Sequence, residues 1–179
     1  YSLNVVASDG TNSDTEAIIV NVTDANDESP VLSVSTPYSV AENTTTVTTV
    51  SATDADAGTT ITFSLTGTDA AKFAINSSTG AITFQAAPDF ETPDSAASSN
   101  AYSLNVVASD GTNSDTEAIV VNVTDADDNS PVLTVATPYS VAEGVTTVAT
   151  VSAADADAIS TITFSLTGTD AADFNINSS

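Results

Sequence analysis

Carboxylate side chains recur in short clusters along this 179-residue chain, and their spacing is the first sign of chemistry. The segment DANDESP at residues 24–30 returns as DADDNSP at residues 125–131. Shorter Ala-Glu, Asp-x-Asp, Asp-x-Glu and Ser-Asp-Gly stretches hold further acids: Glu42, Glu143, Asp54, Asp56, Asp155, Asp157, Asp89, Glu91, Asp9 and Asp110. Two carboxylates about 4 Å apart repel by about 4 kcal/mol at an effective dielectric constant of about 20. Clusters that converge in the fold would therefore need a cation between them.

The donor atoms on offer decide which cation these clusters would bind. The chain has no His and no Cys, which leaves carboxylates, side-chain amides, backbone carbonyls and water. Hard oxygen donors favour Ca²⁺ or Mg²⁺ over zinc, copper or iron, and ligands from several separate segments suit Ca²⁺ better than the tight octahedron of Mg²⁺. Each cluster alone is also a common turn former. Their repetition in step is what favours calcium binding.

Composition restricts the function further. The chain carries 24 Asp and Glu against one basic residue, Lys72, for a formal net charge of −23. This charge disfavours nucleic acid and anionic lipid surfaces as partners, because phosphates need a cationic surface. No run of about 18 apolar residues is present, so we predict no membrane insertion in this segment. The 41% hydrophobic content, with Val and Ile alternating with polar residues, favours a packed fold over disorder.

A sequence repeat sets the organisation of the chain. Residues 1–78 are nearly identical to residues 102–179. We predict that residues 1–23 end one repeat, residues 31–124 form a complete one and residues 132–179 begin a third, with calcium-binding linkers at 24–30 and 125–131. A repeat cut out of phase in this way indicates a longer array.

The complete repeat reads as a series of short strands. Stretches rich in Val, Ile, Thr and Phe predict strands at residues 45–54, 60–67, 80–85, 102–109 and 116–123. VLSVS and YSVAE predict a first strand that breaks at Thr36-Pro37, as an edge strand permits. Turn signals at Asp110-Gly111 and Thr79-Gly80 separate the strands, and residues 69–73 suggest one helical turn. The pattern predicts an antiparallel β-sandwich with Greek-key connections.

At this point the chain resembles the cadherin repeat. DANDESP is similar to that family's Asp-x-Asn-Asp-x-x-Pro linker, TDADAG to its Asp-x-Asp turn, FAINSSTGAITF to one of its strand pairs and PDFET to its Asp-x-Glu segment. VVASDGT resembles the end of the sixth strand, and VAEN the Pro-Glu-Asn stretch, with Ala41 in place of proline. The resemblance implies an all-β fold of tandem seven-stranded Greek-key sandwiches, cadherin-like or immunoglobulin-like, arranged end to end. It also implies about three calcium ions at each junction.

The resemblance further implies a ligand set at each linker. At 125–131, two ions would be bound by Glu42, Asp89, Glu91, Asp125, Asp128, Asp157 and the Ala126 carbonyl, and a third by Asp127, Asp155, Asp157 and the Asn129 carbonyl. At 24–30, one ion would be bound by Asn26, Asp54, Asp56, Asp110 and the Glu28 carbonyl, and Asp24 and Asp27 would contribute to the other two.

For function, we expect calcium to fix the angle between successive sandwiches, which would make the array a stalk, adhesin shaft or fibre at the cell surface or outside the cell. Its partners would be neighbouring repeats of the same chain and possible homophilic contacts. The chain has no Trp, so strand exchange through an inserted Trp is not open to it. Near-identical repeats and the scarcity of basic residues resemble the large repeat proteins of bacterial surfaces.

Two alternatives stay open beside the structural role. The first is a sandwich that binds a polysaccharide or another protein, for which Tyr38 and Tyr139 are the exposed aromatic candidates, while core packing is expected of Tyr1 and Tyr102. The second is an enzyme that uses Asp89 and Glu91 as acid and base. We expect no enzyme, because metal ligation accounts for both acids.

Overall fold

The computed structural model describes residues 1–178 and contains three β-rich segments. Thirteen strands run in chain order: β1 Ser2–Ser8, β2 Ser13–Ile19, β3 Val31–Ser33, β4 Tyr38–Ala41, β5 Thr46–Thr49, β6 Ser51–Thr53, β7 Thr62–Thr66, β8 Phe73–Ile75, β9 Ala81–Phe84, β10 Ala101–Ser109, β11 Ser114–Thr124, β12 Val132–Thr134 and β13 Ser152–Ala154. Two single 3₁₀ turns, Ala70–Lys72 and Ala171–Asp173, are the helical elements of this part of the chain. In residues 1–178 there is no helix of the length and apolarity needed to cross a membrane.

The central segment is a β-sandwich. One sheet has the strand order β4-β11-β10-β7, and the other side is built from β5-β9-β8 and from β3 paired with β6. The predicted all-β sandwich is confirmed. It is antiparallel except for one pair, since β4 runs parallel to β11 with Ala41 beside Thr124.

The break at Thr36-Pro37 explains this parallel pair. Before the break, β3 pairs antiparallel with β6, and after it β4 joins β11 in the other sheet. Proline has no backbone N–H and interrupts a ladder, so the first strand changes partner at that point. The predicted strand over 45–54 also divides, at Val50, whose backbone N–H donates to the Gly80 carbonyl at 3.0 Å. The predicted helical turn at 69–73 is the first 3₁₀ turn.

Alternating side chains of the longest strands form the core. In β10, Tyr102, Leu104, Val106 and Ala108 are buried while the residues between them face outward. Such burial stabilises the fold by about 1.5–3 kcal/mol for each large apolar side chain. Phe73 and Phe84 are directly opposite each other on β8 and β9, with ring centroids 4.3 Å apart, and Tyr102 of the other sheet meets both rings edge-on.

The long loop between β9 and β10 is fixed by two aspartates. Buried Asp69 accepts hydrogen bonds from the backbone N–H groups of Ala96 and Ser103, each at 2.7 Å. Asp94 accepts from the Tyr102 hydroxyl at 2.8 Å and from Lys72 Nζ at 2.6 Å. Hydrogen bonds from Lys72 and Tyr102 hold the pKa of Asp94 below its usual range, and burial with the Asp94 contact raises the pKa of Tyr102 to about 12. This loop carries two of the predicted metal ligands, so these contacts position them.

The flanking segments repeat parts of the central sandwich. The β1–β2 hairpin has the register of β10–β11, with Leu3 opposite Ile18 as Leu104 is opposite Ile119. Leu3 is 44% exposed, whereas Leu104 is 2% exposed. The core role predicted for Tyr102 is found, but Tyr1 is 84% exposed because no second sheet covers the hairpin within residues 1–178.

Repeat boundaries at 1–23, 24–30, 31–124, 125–131 and 132–179 stay a prediction, and the final residue, 179, lies outside the described residues. The strands are compatible with these limits. β2 ends at Ile19 and β3 begins at Val31, while β11 ends at Thr124 and β12 begins at Val132. In the described part of the chain, β12 pairs with β13 as β3 pairs with β6.

Gly58 and Gly80 both have a positive φ, but of these two only Gly80 is also packed too closely to accept a side chain. A Cβ on Gly80, where φ is +73°, would collide with the Val50 carbonyl oxygen, whereas a Cβ on Gly58, where φ is +85°, would meet no atom within 4 Å. We expect Gly58→Ala to destabilise the chain by about 1–2 kcal/mol and Gly80→Ala by a further ~1–3 kcal/mol. Urea unfolding without calcium measures both, and equal losses would contradict this packing.

Candidate metal centre

The first acidic cluster is a direct consequence of the parallel strand pair. Because Ala41 lies beside Thr124, the residues that follow these strands, Glu42 and Asp125, leave the same edge of the sheet side by side. Glu91 reaches them from the loop after β9. Carboxylate oxygens of Glu42, Glu91 and Asp125 all lie within 4.8 Å of one another.

Glu42 ties this cluster to the backbone. Its side chain is 3% exposed, and its two oxygens accept hydrogen bonds from the N–H groups of Ala126 and Phe90, each at 2.8 Å. One carboxylate therefore joins the end of β4, the linker and the loop that carries Glu91.

A second cluster crosses from the central sandwich to the segment that follows it. Carboxylate oxygens of Glu91, Asp128 and Asp157 lie within 4.8 Å of one another. Asp157 is 5% exposed, and its Oδ2 accepts the Asn129 N–H at 2.9 Å. The side-chain amide of Asn129 is the largest influence that lowers the pKa of Asp157. Glu91 belongs to both clusters and so connects them.

The remaining predicted ligands of linker 125–131 lie around these clusters without joining a three-acid group in residues 1–178. Asp89 lines the same cleft as Glu42 and Glu91, and its Oδ1 accepts the Thr92 N–H at 2.9 Å. Asp127 Oδ1 accepts from Ser160 Oγ at 3.0 Å, and Asp155 Oδ1 accepts the Asp157 N–H at 3.1 Å.

A third cluster stands at linker 24–30. Oxygens of Asp54, Asp56 and Asp110 lie within 4.8 Å of one another. Asp110 sits in the turn between β10 and β11, where its Oδ1 accepts the N–H groups of Thr112 and Asn113 at 2.6 Å each. These backbone contacts, led by that of Asn113, lower the pKa of Asp110. The second oxygen, Oδ2, faces the linker.

The amide of Asn26 completes the surroundings of this third cluster. As placed, its oxygen lies 2.8 Å from Asp110 Oδ2 and 3.2 Å from Asp56 Oδ2, and reversing the amide would turn both contacts into hydrogen bonds. Its nitrogen lies 3.3 Å from Thr112 Oγ1. An amide oxygen that faces two carboxylates fits a cation between them, and the reversed amide fits the same atoms without one.

Three further predicted residues of this linker have separate roles in the described structure. Asp24 Oδ2 accepts the Ala57 N–H at 2.7 Å. The Glu28 carbonyl accepts from Asn113 Nδ2 at 2.9 Å. Asp27 belongs to no three-acid cluster within residues 1–178.

Buried oxygens without a donor test whether these residues fit a metal ion. Four such side-chain oxygens occur among residues 1–178, and three belong to the clusters: Asp54 Oδ2, Glu91 Oε1 and Asp125 Oδ1. A buried acceptor without a partner is costly, so these atoms point to a positive ligand. Burial, then the charges of Glu42 and Asp125, raises the pKa of Glu91. The oxygen-only donor set suits Ca²⁺.

The fold and the clusters together define a class of protein: β-sandwich repeats with carboxylate groups gathered at their junctions. Comparison with known proteins agrees with this class. The model of the cadherin domain family matches residues 36–124. The chain therefore belongs to the cadherin family, as its motifs indicated.

Relatives and solved structures extend the likeness to most of the chain. Cadherin EGF LAG seven-pass G-type receptor 2 of Mus musculus is 41% identical over 140 residues, which cover 73% of this chain and 5% of the receptor. Protocadherin Fat 4 of Homo sapiens is 37% identical over 93% of this chain and 4% of its own length. The structure of a protocadherin gammaB7 EC3-6 cis-dimer has a TM-score of 0.63 and 26% identity, over 88% of this chain and 43% of that one. The structure of mouse cadherin-23 EC22-24 has a TM-score of 0.58 and 26% identity, over 87% of this chain and 53% of that one.

Several residues that organise the clusters were not predicted from the sequence. Asn43, Asn113 and Thr112 contact predicted ligands or the linkers, and Asp69 anchors the loop that carries Glu91. A signal was present for Asn113, because SDGTN occurs twice, at residues 8–12 and 109–113.

Removing the charge of Glu91 should have opposite effects without and with calcium. Without calcium the raised pKa means that stability falls as the pH rises through the interval between the unfolded and the folded pKa of Glu91. Glu91→Gln removes this charge, so we expect a higher Tm than the parent at pH 7 without calcium. In the presence of calcium, we expect the Glu91→Gln variant to bind the ion at least about tenfold more weakly than the parent does.

Calorimetry at both conditions measures the two effects. Glu117→Gln is the matched control, because Glu117 is exposed on β11 and belongs to none of the clusters. A Glu91→Gln variant that is less stable than the parent without calcium would contradict the repulsion.

Proposed function

We propose that this chain is part of a calcium-rigidified array of cadherin repeats that forms an extracellular stalk, shaft or fibre for adhesion between cells or between a cell and a surface. The observation that carries the proposal is the position of the donor-free oxygens. Glu91 Oε1 and Asp125 Oδ1 lie at one end of the central sandwich, and Asp54 Oδ2 lies near the other. Each group adjoins a linker.

The three clusters would form the centres of the calcium sites. Glu42, Glu91 and Asp125 would hold one ion, and Glu91, Asp128 and Asp157 a second. Asp54, Asp56 and Asp110, with Asn26, would hold an ion at linker 24–30. When bound, calcium supplies the positive charge that these carboxylates lack. Asp89, Asp127, Asp155, Asp24, Asp27 and the carbonyls of Ala126, Asn129 and Glu28 remain predicted ligands around these centres.

Ligands on both sides of a linker would couple ion binding to mechanics. Glu91 belongs to the central sandwich and Asp157 to the next segment, so one ion between them would resist both bending and extension. Without an ion, like charges flank a linker of a few residues, and domains joined in this way move relative to one another by default. Calcium would thus convert a flexible chain of sandwiches into a semi-rigid rod.

The expected affinity supports a location outside the cell. Extracellular calcium modules bind at about 10⁻⁴ to 10⁻³ M, a concentration that cytosol does not provide. Membership of the cadherin family supports the same location, and one relative is a seven-pass receptor. We keep the bacterial-type surface protein as a prediction about the source.

Neighbouring repeats of the same chain would be the first partners. Homophilic contact with a second copy is a further proposal, supported by the cis-dimer of the related protocadherin gammaB7.

A polysaccharide ligand gains no support. The Tyr38 and Tyr139 hydroxyls accept backbone N–H groups from Ser35 and Ala136 at 2.9 and 3.0 Å, so both tyrosines serve local turns. We propose no catalysis, since calcium ligation accounts for Asp89 and Glu91.

The double substitution Asp128→Asn and Asp157→Asn tests the proposal. It removes two charges from the cluster that crosses linker 125–131, so calcium should bind with lower stoichiometry and no longer extend the chain. Titration calorimetry measures the binding, and small-angle scattering with and without calcium measures the maximum dimension.

Asp173→Asn is the matched control, because Asp173 is exposed in the second 3₁₀ turn and is not a predicted ligand. The parent and the control should lengthen or stiffen on adding millimolar calcium. Compaction of the parent, or an unchanged profile, would refute the rod.

A further inference from the structure

We infer that two amide side chains, Asn43 and Asn129, are positioning residues that hold the carboxylates of linker 125–131 together before calcium binds, and that linker 24–30, with Glu28 in place of Asn129, lacks a side-chain donor at that position. The two junctions would then respond differently as calcium falls. This inference rests on the proposed calcium binding, because it concerns how well the same clusters are ordered before the ion binds.

Hydrogen bonds form a continuous path across linker 125–131. Asn43 Nδ2, at the end of β4, donates to Asp128 Oδ2. Asn129 Nδ2 donates to Asp128 Oδ1 and to Asp157 Oδ1, each at 2.9 Å, while the Asn129 backbone N–H donates to Asp157 Oδ2 at 2.9 Å. The path therefore leads from the central sandwich through the linker to the next segment.

The amide group is chemically suited to this position. A side-chain NH₂ has two donors and carries no charge, so a single Asn129 can satisfy two carboxylates at once. Hydrogen bonds to an ionised acceptor are stronger than bonds between neutral groups. Asp128 and Asp157 share a cluster with Glu91, so without such donors their charges would drive the linker apart.

Linker 24–30 provides an internal comparison. Its backbone contacts repeat those of the other linker: the Glu28 N–H donates to Asp56 Oδ2 at 2.9 Å, and the Ala57 N–H to Asp24 Oδ2 at 2.7 Å. The side chain is what differs. Glu28 occupies the position of Asn129, and an ionised carboxylate has no hydrogen to donate. The first linker thus keeps the backbone contacts and has a negative charge at residue 28 in place of that amide. Its own amide contacts, of Asn26 with Asp56 and Asp110 and of Asn113 with the Glu28 carbonyl, all lead to the sandwich that follows it.

The backbone at Asn43 is independent evidence for a role of its side chain. Asn43 has a φ of +61°, which a non-glycine residue adopts at a cost. The equivalent residue of the following repeat is Gly144, with a φ of +80°. The turn itself therefore needs only a positive φ, which glycine provides freely. The amide of Asn43 adds the contact to Asp128.

Amide hydrogen exchange of the 179-residue chain in a calcium-free chelator tests the inference. We expect the Asn129 N–H to have a protection factor at least about tenfold higher than the Glu28 N–H. Asn129→Glu should lower protection at 126–129 to the level of the first linker. Glu28→Asn should raise protection at 25–28, and Asn43→Gly should lower protection at 126–129 while it retains the positive φ.

Asn105→Glu is the matched control, because it makes the same exchange of residue types on the outward face of β10 and should leave both linkers unchanged. Equal protection of the two linkers in the parent, or protection that does not follow the substitutions at 28 and 129, would overturn the inference. Calcium titration of the parent separates this result from the proposed function. Absence of calcium binding would refute the rod, whereas the exchange data are collected without calcium and test the amides alone.

Discussion

Carboxylate oxygens drawn from separate segments and held within 4.8 Å of one another are the constraint on which this structure depends. The chain has 24 acids and one basic residue, and that residue, Lys72, is committed to Asp94 in the loop between β9 and β10. No cationic side chain is therefore left to neutralise the clusters. Backbone N–H groups and side-chain amides donate hydrogen bonds to some of these carboxylate oxygens. Asp54, Glu91 and Asp125 each retain a buried oxygen without a donor.

The sandwich produces this crowding through ordinary strand geometry. Parallel pairing of β4 with β11 sends Glu42 and Asp125 out of the same edge, and the turn between β10 and β11 brings Asp110 towards linker 24–30. The loop that carries Glu91 is long, but Asp69 and Asp94 fix it to the core strand β10. Stability of the core and geometry of the clusters are therefore coupled: a change that loosens this loop would also displace Glu91.

Local patterns in the sequence predicted much of this arrangement, and long-range geometry accounts for the rest. Alternation predicted β10 and β11, whereas the acids expected at each linker were implied by the resemblance to the cadherin repeat, and that ligand set stays a prediction. The parallel β4–β11 pair was not predicted, because the partner of a strand after a proline break depends on the whole sandwich. The contact of Asn43 with Asp128 joins residues 85 positions apart, and no short pattern encodes it. Exposure of Tyr1 reflects the absence of a covering sheet within residues 1–178.

A crystal structure of the 179-residue chain grown in millimolar calcium would show whether the carboxylate clusters hold calcium, because it locates the ions themselves. We expect anomalous density for a cation among Glu42, Glu91 and Asp125, and for another among Asp54, Asp56 and Asp110, with oxygen ligands at about 2.3–2.6 Å. Water molecules or direct carboxylate–carboxylate hydrogen bonds at both positions, in crystals that hold calcium in the solvent, would contradict it.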